Sequence, residues 1–267
     1  MLFGLIKPSE YGYLLSYISP GFLDVVPPNS LFQAVRDLAL KGRNRSQFEK
    51  WMSDRRASLK QAKLPVNILN RKETDREPYM ALQSLGQINQ RKHIGHSILQ
   101  LFFHQLFDGG ATLLDLRSDT FWVDDKMASD QIILQWMPRC LFVNWQPDFI
   151  KPVRQLYRGF YEDDMTVFDQ ALTALNLDPT RDVLLEFFGN ARDTEMRFMR
   201  SAFLDQFKRI FTICKQEKRS IHPQFVVLGA YLAGLYDALE QLNVPLDVGN
   251  AFRELEFHNE PQKRPSL

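Results

Sequence analysis

Met196-Arg197-Phe198-Met199-Arg200-Ser201-Ala202-Phe203-Leu204-Asp205-Gln206-Phe207-Lys208-Arg209-Ile210-Phe211 decides the class of this chain. Met196, Met199, Phe203, Phe207, Ile210 and Phe211 recur at spacings of three and four, which lines one face of a helix with apolar groups. The pattern predicts a helix over 193–218. Working outward, similar patterns predict helices over 148–161, 164–176, 180–189, 223–243 and 249–256. Asp178-Pro179, Gly189-Asn190, His222-Pro223 and Pro245 supply the breaks between them.

The amino-terminal half has the same character with more punctuation. Asn29 or Ser30 caps a helix carrying Leu31, Phe32, Val35, Leu38 and Ala39, and Gly42 ends it. Ser46 starts a second helix to about Ala62, with Phe48, Trp51 and Met52 inward and Pro65 as its stop. Residues 66–78 are polar and read as a loop. Residues 79–107 read as helix, broken by Asp108-Gly109-Gly110. Between 112 and 145 the period changes: Thr112 to Leu116, Thr120 to Val123, Ile132 to Trp136 and Arg139 to Trp145 are short β-like runs. The expectation is a mainly α, multi-helix single domain over 1–267. Within it, 1–28 forms a peripheral, Pro-punctuated arm, 112–145 a small β insertion and 148–243 the helical core.

Composition narrows function mainly by exclusion. The 267 residues are 45 % hydrophobic and carry 21 Phe, enough for a thick aromatic core. A net charge of +1 argues against a global attraction to nucleic acid. The local exception is Lys41 to Lys63, with eight basic residues against two acidic ones, a charge of +6; a solvated helix face is the simpler account of it. Cys140 and Cys214 both sit in apolar runs and read as buried thiols. The first residues lack the basic start and length of a signal peptide. The most apolar window, Phe225 to Leu235, is short for a membrane span. A soluble, cytoplasmic protein without a cofactor is the expectation.

Two constellations could carry chemistry. On a helix, His93, His96, Gln100 and His104 share one face, and His93 and His96 are close enough to consider as metal ligands with help from elsewhere. A polar stripe satisfied by neighbours is the simpler account. The second constellation is acidic: Asp108, Asp115, Asp119, Asp124, Asp125 and Asp130 crowd the middle segment. Turns favour Asp, but Asp115 lies inside the apolar run Leu113-Leu114-Asp115-Leu116, next to Arg117. An acid in such a run is either outward-facing by β alternation or held for a purpose, and an outward-facing or salt-bridged Asp115 is the simpler account. His93-Ile94-Gly95-His96 and Lys126-Met127-Ala128-Ser129 echo the signatures of class I aminoacyl-tRNA synthetases. The stretch between them is far too short for the nucleotide-binding domain those signatures bracket.

Residues 98 to 244 resemble the C-terminal lobe of the UbiB/AarF-type atypical kinase-like family. The likeness is carried by Leu101 to Phe107, Gly110, Asp115 at the family's Asp, Phe121 to Asp125, Leu156 to Asp164, and His222-Pro223 opening a late helix. Leu113, Arg117 and Thr120 stand where that family has His, His and Asn, and Asn144 falls where its metal-binding Asp is expected. The resemblance therefore implies a relative that has lost ATP chemistry, because phosphoryl transfer needs those oxygen ligands for Mg²⁺. Two functions remain in view. One is a non-catalytic accessory or interaction protein that binds a protein partner or an apolar small molecule. The other is a small-molecule enzyme built on Asp115, Arg117, Asp119 and His104, with the His93/His96/His104 face beside them.

Overall fold

The computed structural model describes residues 45–69, 79–124, 132–189 and 195–255. The arm over 1–28, the helix expected after Asn29, and Lys41 and Arg43 of the basic stretch lie outside the described residues. The protein is mainly helical, with three small sheets among the described residues.

Helix α1 (Arg45–Gln61) buries Phe48, Met52, Arg55 and Leu59, one per turn, and so turns a single edge to the body. It leads into strand β1 (Val66–Ile68), where a loop was expected. The chain resumes at strand β2 (Tyr79–Ala81), and a short 3-10 turn (Leu82–Ser84) precedes helix α2 (Ile88–Phe107). The helix expected over 79–107 thus begins nine residues later. Then come β3 (Thr112–Leu113), β4 (Phe121–Asp124), β5 (Leu134–Trp136) and β6 (Phe142–Val143). The main sheet has the order β1-β5-β4-β2, with β1 parallel to β5 and the other pairs antiparallel; β3 pairs separately with β6. The β segment therefore does not close on itself within 112–145. It recruits both outer strands from before α2, and those strands found no local partner to betray them.

The carboxy-terminal half follows its sequence pattern: α3 (Pro147–Tyr161), α4 (Met165–Ala174), α5 (Arg181–Phe188), α6 (Arg200–Gln216), α7 (Gln224–Leu242) and α8 (Val248–Arg253). One correction concerns the opening stretch. Glu195–Met196 is strand β7, paired with β8 (Leu246–Asp247), and α6 starts only at Arg200. Met199 precedes that helix and is 53 % exposed, so the apolar stripe begins at Phe203. Helix α7 runs 19 residues and is apolar and long enough to cross a membrane, but 78 % of its most apolar window is buried inside the protein.

Aromatic packing joins these elements. Phe103 on α2 meets Tyr157 and Tyr161 of α3 and Phe252 of α8, all edge-on at 5.2–5.8 Å. Phe203 on α6 stacks on Phe207 and meets Tyr236 of α7 at 4.8 Å. Apolar burial is continuous from Phe48 to Leu255. Gly159 lets α3 and α4 meet backbone to backbone, since a Cβ there would lie 2.5 Å from the Phe168 nitrogen. Denaturant melts should show Phe203→Ala losing about 3–5 kcal/mol through its cavity. Gly159→Ala should lose about 1–3 kcal/mol by forcing α3 and α4 apart. A Gly159→Ala protein that melts like the parent would contradict the close α3–α4 contact.

Candidate functional site

Asp115 lies two residues past the end of β3 and is fully buried (0 % exposed). It does not face solvent; it is salt-bridged. Arg117 Nε donates to Oδ1 at 2.7 Å and Arg117 Nη2 to Oδ2 at 3.1 Å, a two-pronged pair. The backbone N–H of Arg139 donates to Oδ2 at 3.2 Å. Burial pushes the Asp115 carboxyl above its usual range, against the pull of Arg117. The Asp115 carbonyl is also engaged, accepting from Trp136 Nε1 at 2.9 Å. Thr120, where a metal-binding amide was sought, donates its hydroxyl to the Arg117 carbonyl at 2.7 Å.

Around this centre the charges pair off. Asp119 is bound by the Arg139 guanidinium. Asp237 of α7 accepts from both the backbone N–H and the hydroxyl of Ser118, and sits 3.7 Å from Arg200. Arg139 and Asp237 complete the cluster from far along the chain, and no spacing in the sequence pointed to either. Asn144 is exposed.

The histidine face does not converge on Asp115. His93 Nε2 donates to the Ile132 carbonyl at 3.1 Å. His96 Nε2 contacts Glu254 Oε2 at 2.6 Å, and Gln100 donates to the same oxygen. His104, about two turns beyond His96, meets α1 instead. Among the described residues no group of three or more His, Cys, Asp or Glu side chains is arranged to hold a metal.

The His104 environment was not anticipated. Arg55, 3 % exposed, donates to Asp108 Oδ2 at 2.7 Å and to the Ala111 carbonyl at 3.0 Å. Ser58 Oγ lies 2.9 Å from Asp108 Oδ2 and 2.6 Å from His104 Nε2. A hydroxyl has one proton, and the carboxylate can only accept it, so His104 Nε2–H must donate to Ser58. That order inverts a nucleophile-activating triad, in which histidine takes the serine proton and the carboxylate orients histidine. The cluster is a half-buried tether between α1 and the end of α2, with Arg55 inside and Asp108 at the surface. Arg55 and Arg56, which donates to the Ile68 carbonyl, are thereby withdrawn from the basic surface suggested by Lys41 to Lys63.

No protein-family model matches this chain, and no curated protein matches it either.

Burial, with help from the Arg55 charge, pulls His104 from 6.5 down to about 4, against the pull of Asp108. A folded-state value below the unfolded one means that the unfolded chain takes up the proton first. The contribution of neutral His104 is therefore complete above pH 6.5 and is lost as pH falls from 6.5 toward about 4. Stability should decline by about 3 kcal/mol across that window on this account. Denaturant melts of the parent and of His104→Gln would check this; the parent must show the steeper decline.

Proposed function

We propose that this chain is a non-catalytic interaction protein, a kinase-like remnant whose Asp115 loop has been turned into a structural joint. The observation that carries the reading is the closure of the Asp115 carboxylate. Arg117 and the Arg139 N–H occupy both of its oxygens, and no part of the residue reaches solvent. A carboxylate so engaged can neither accept a substrate proton nor bind Mg²⁺ without first breaking a buried pair.

The family resemblance can be followed further along the chain. In that family two strands after the Asp loop end in Asp-Phe-Gly. Here the strands after Asp115 are β4 and β5. The position of the metal-binding Asp is held by Asn144, beyond β6 and exposed. The Thr120 hydroxyl is spent on the Arg117 carbonyl. Both substitutions favour a chain without nucleotide chemistry.

Among the described residues the apolar interior voids are too small for a hydrocarbon ligand. Two voids lined by Phe and Leu side chains have volumes of about 30 Å³ each, room for one water rather than a hydrocarbon. That favours a protein partner at the surface over an apolar small molecule. The enzyme reading needs Asp115 and the histidines around one space, whereas His93, His96 and His104 are bound to Ile132, Glu254 and Ser58.

A thermal-shift titration with ATP and Mg²⁺ tests the proposal, since a bound nucleotide raises the melting temperature by mass action. No shift is expected. A saturable rise of several degrees would restore a nucleotide site.

A further inference from the structure

A cleft of about 300 Å³ opens where the start of α3, the end of α4 and the turn before α7 meet. That volume reaches the lower end of small-molecule sites, which combine an apolar floor with a few placed polar groups. Phe149, Leu175 and Ile221 are buried and line the cleft.

The walls are held in place. Asn176 adopts a left-handed backbone (φ 62°) and donates to the Ser220 carbonyl at 2.9 Å, while its Oδ1 accepts from Arg219. Arg219 in turn pairs with Asp178 at 2.8 Å, so its charge is compensated. The His222 ring stacks on Phe149, centroids 4.9 Å apart at 22°, which fixes its plane.

Three polar side chains of the lining have atoms not spent within the fold, the exposed Ser220 hydroxyl among them. His222 Nδ1 accepts from the Gln224 N–H at 3.2 Å, so the neutral ring carries its proton on Nε2 as a donor. Burial lowers the His222 pKa, opposed by Asp148, which favours that neutral form. The Asp148 carboxylate is exposed and makes no hydrogen bond or ion pair among the described residues. An unpaired anion, an N–H donor and an apolar floor together describe one kind of guest.

We propose that this cleft binds a small organic ammonium ion that also carries a hydrogen-bond acceptor, as an amino alcohol does. The ammonium pairs with Asp148, the hydroxyl oxygen accepts from His222 Nε2, and the carbon chain lies over Phe149 and Ile221. The site is independent of the Asp115 joint and of the loss of nucleotide chemistry.

The test is an NMR titration of the full chain with three probes of one length: 4-amino-1-butanol, neutral 1,4-butanediol and anionic 4-hydroxybutyrate. The amino alcohol should shift amides at 147–150, 174–177 and 219–224, and bind at least about tenfold more tightly than the other two. Asp148→Asn, an exposed change that should leave the fold intact, should remove that preference. Asp182→Asn, a carboxylate outside the lining, should keep it. His222→Phe, which preserves the ring on Phe149 but removes Nε2–H, should weaken the amino alcohol more than a fourth probe, butylamine, which has no hydroxyl. Shifts spread over the surface, equal binding of the three probes, or a preference that survives Asp148→Asn would each overturn the proposal.

Discussion

The joint at Asp115 is the constraint around which the middle of this protein is arranged. Its carboxylate holds Arg117 and the backbone of Arg139, and its carbonyl holds the Trp136 indole. One residue thus fixes the loop after β3, the end of β5 and the approach to β6. The loop it shapes carries Ser118 to Asp237 on α7, coupling the small sheets to the carboxy-terminal helices. A buried ion pair adds little net stability compared with apolar packing, but losing one partner strands the other charge at a cost of about 3–5 kcal/mol. Such a joint is intolerant of substitution without being a site of chemistry.

The two halves meet through α2. Its central turns send Phe102 and Phe103 into the aromatic core, while its polar positions are taken up one by one. Gln105, 1 % exposed, bonds both polar atoms of its amide to Leu113 and reaches Tyr231 at 3.0 Å. It acts as a side-chain extension of strand pairing, since a buried amide left unmet would cost about 1–3 kcal/mol. His93, His96 and His104 follow the same rule, each satisfied by a different segment. The histidine stripe is real as a pattern on the helix, and it is scattered as a site because three unrelated elements pack along it.

Much of the fold could be read from the sequence because helices advertise themselves locally. The apolar spacing of α1, α3 and α7 located each to within a residue or two. The sheet was only half legible. β4 and β5 were found by their β-rich runs, but Val66–Ile68 passed for loop because its parallel partner is Leu134–Trp136, with α2 in between. Tyr79–Ala81 was absorbed into a helix since three residues cannot display an alternation. At the candidate site, nearness to Arg117 made a salt bridge at Asp115 one of the readings, with an outward-facing carboxylate as another. Arg139 was not visible, because part of its role is played by a backbone N–H that no side-chain pattern records. Ser58, Arg55 and Asp108 came together from turns some fifty residues apart. The cleft at His222 arises where three helix ends happen to meet.

The most direct test of Asp115 as a structural joint is a double-mutant cycle on stability with Asp115→Asn, Arg117→Gln and the combined variant. The account predicts that each single change is severely destabilising and that the double is far less so than their sum, with a coupling energy of about 2–3 kcal/mol. Additive effects, or an Asp115→Asn protein as stable as the parent, would contradict it and return Asp115 to consideration as a group held for chemistry.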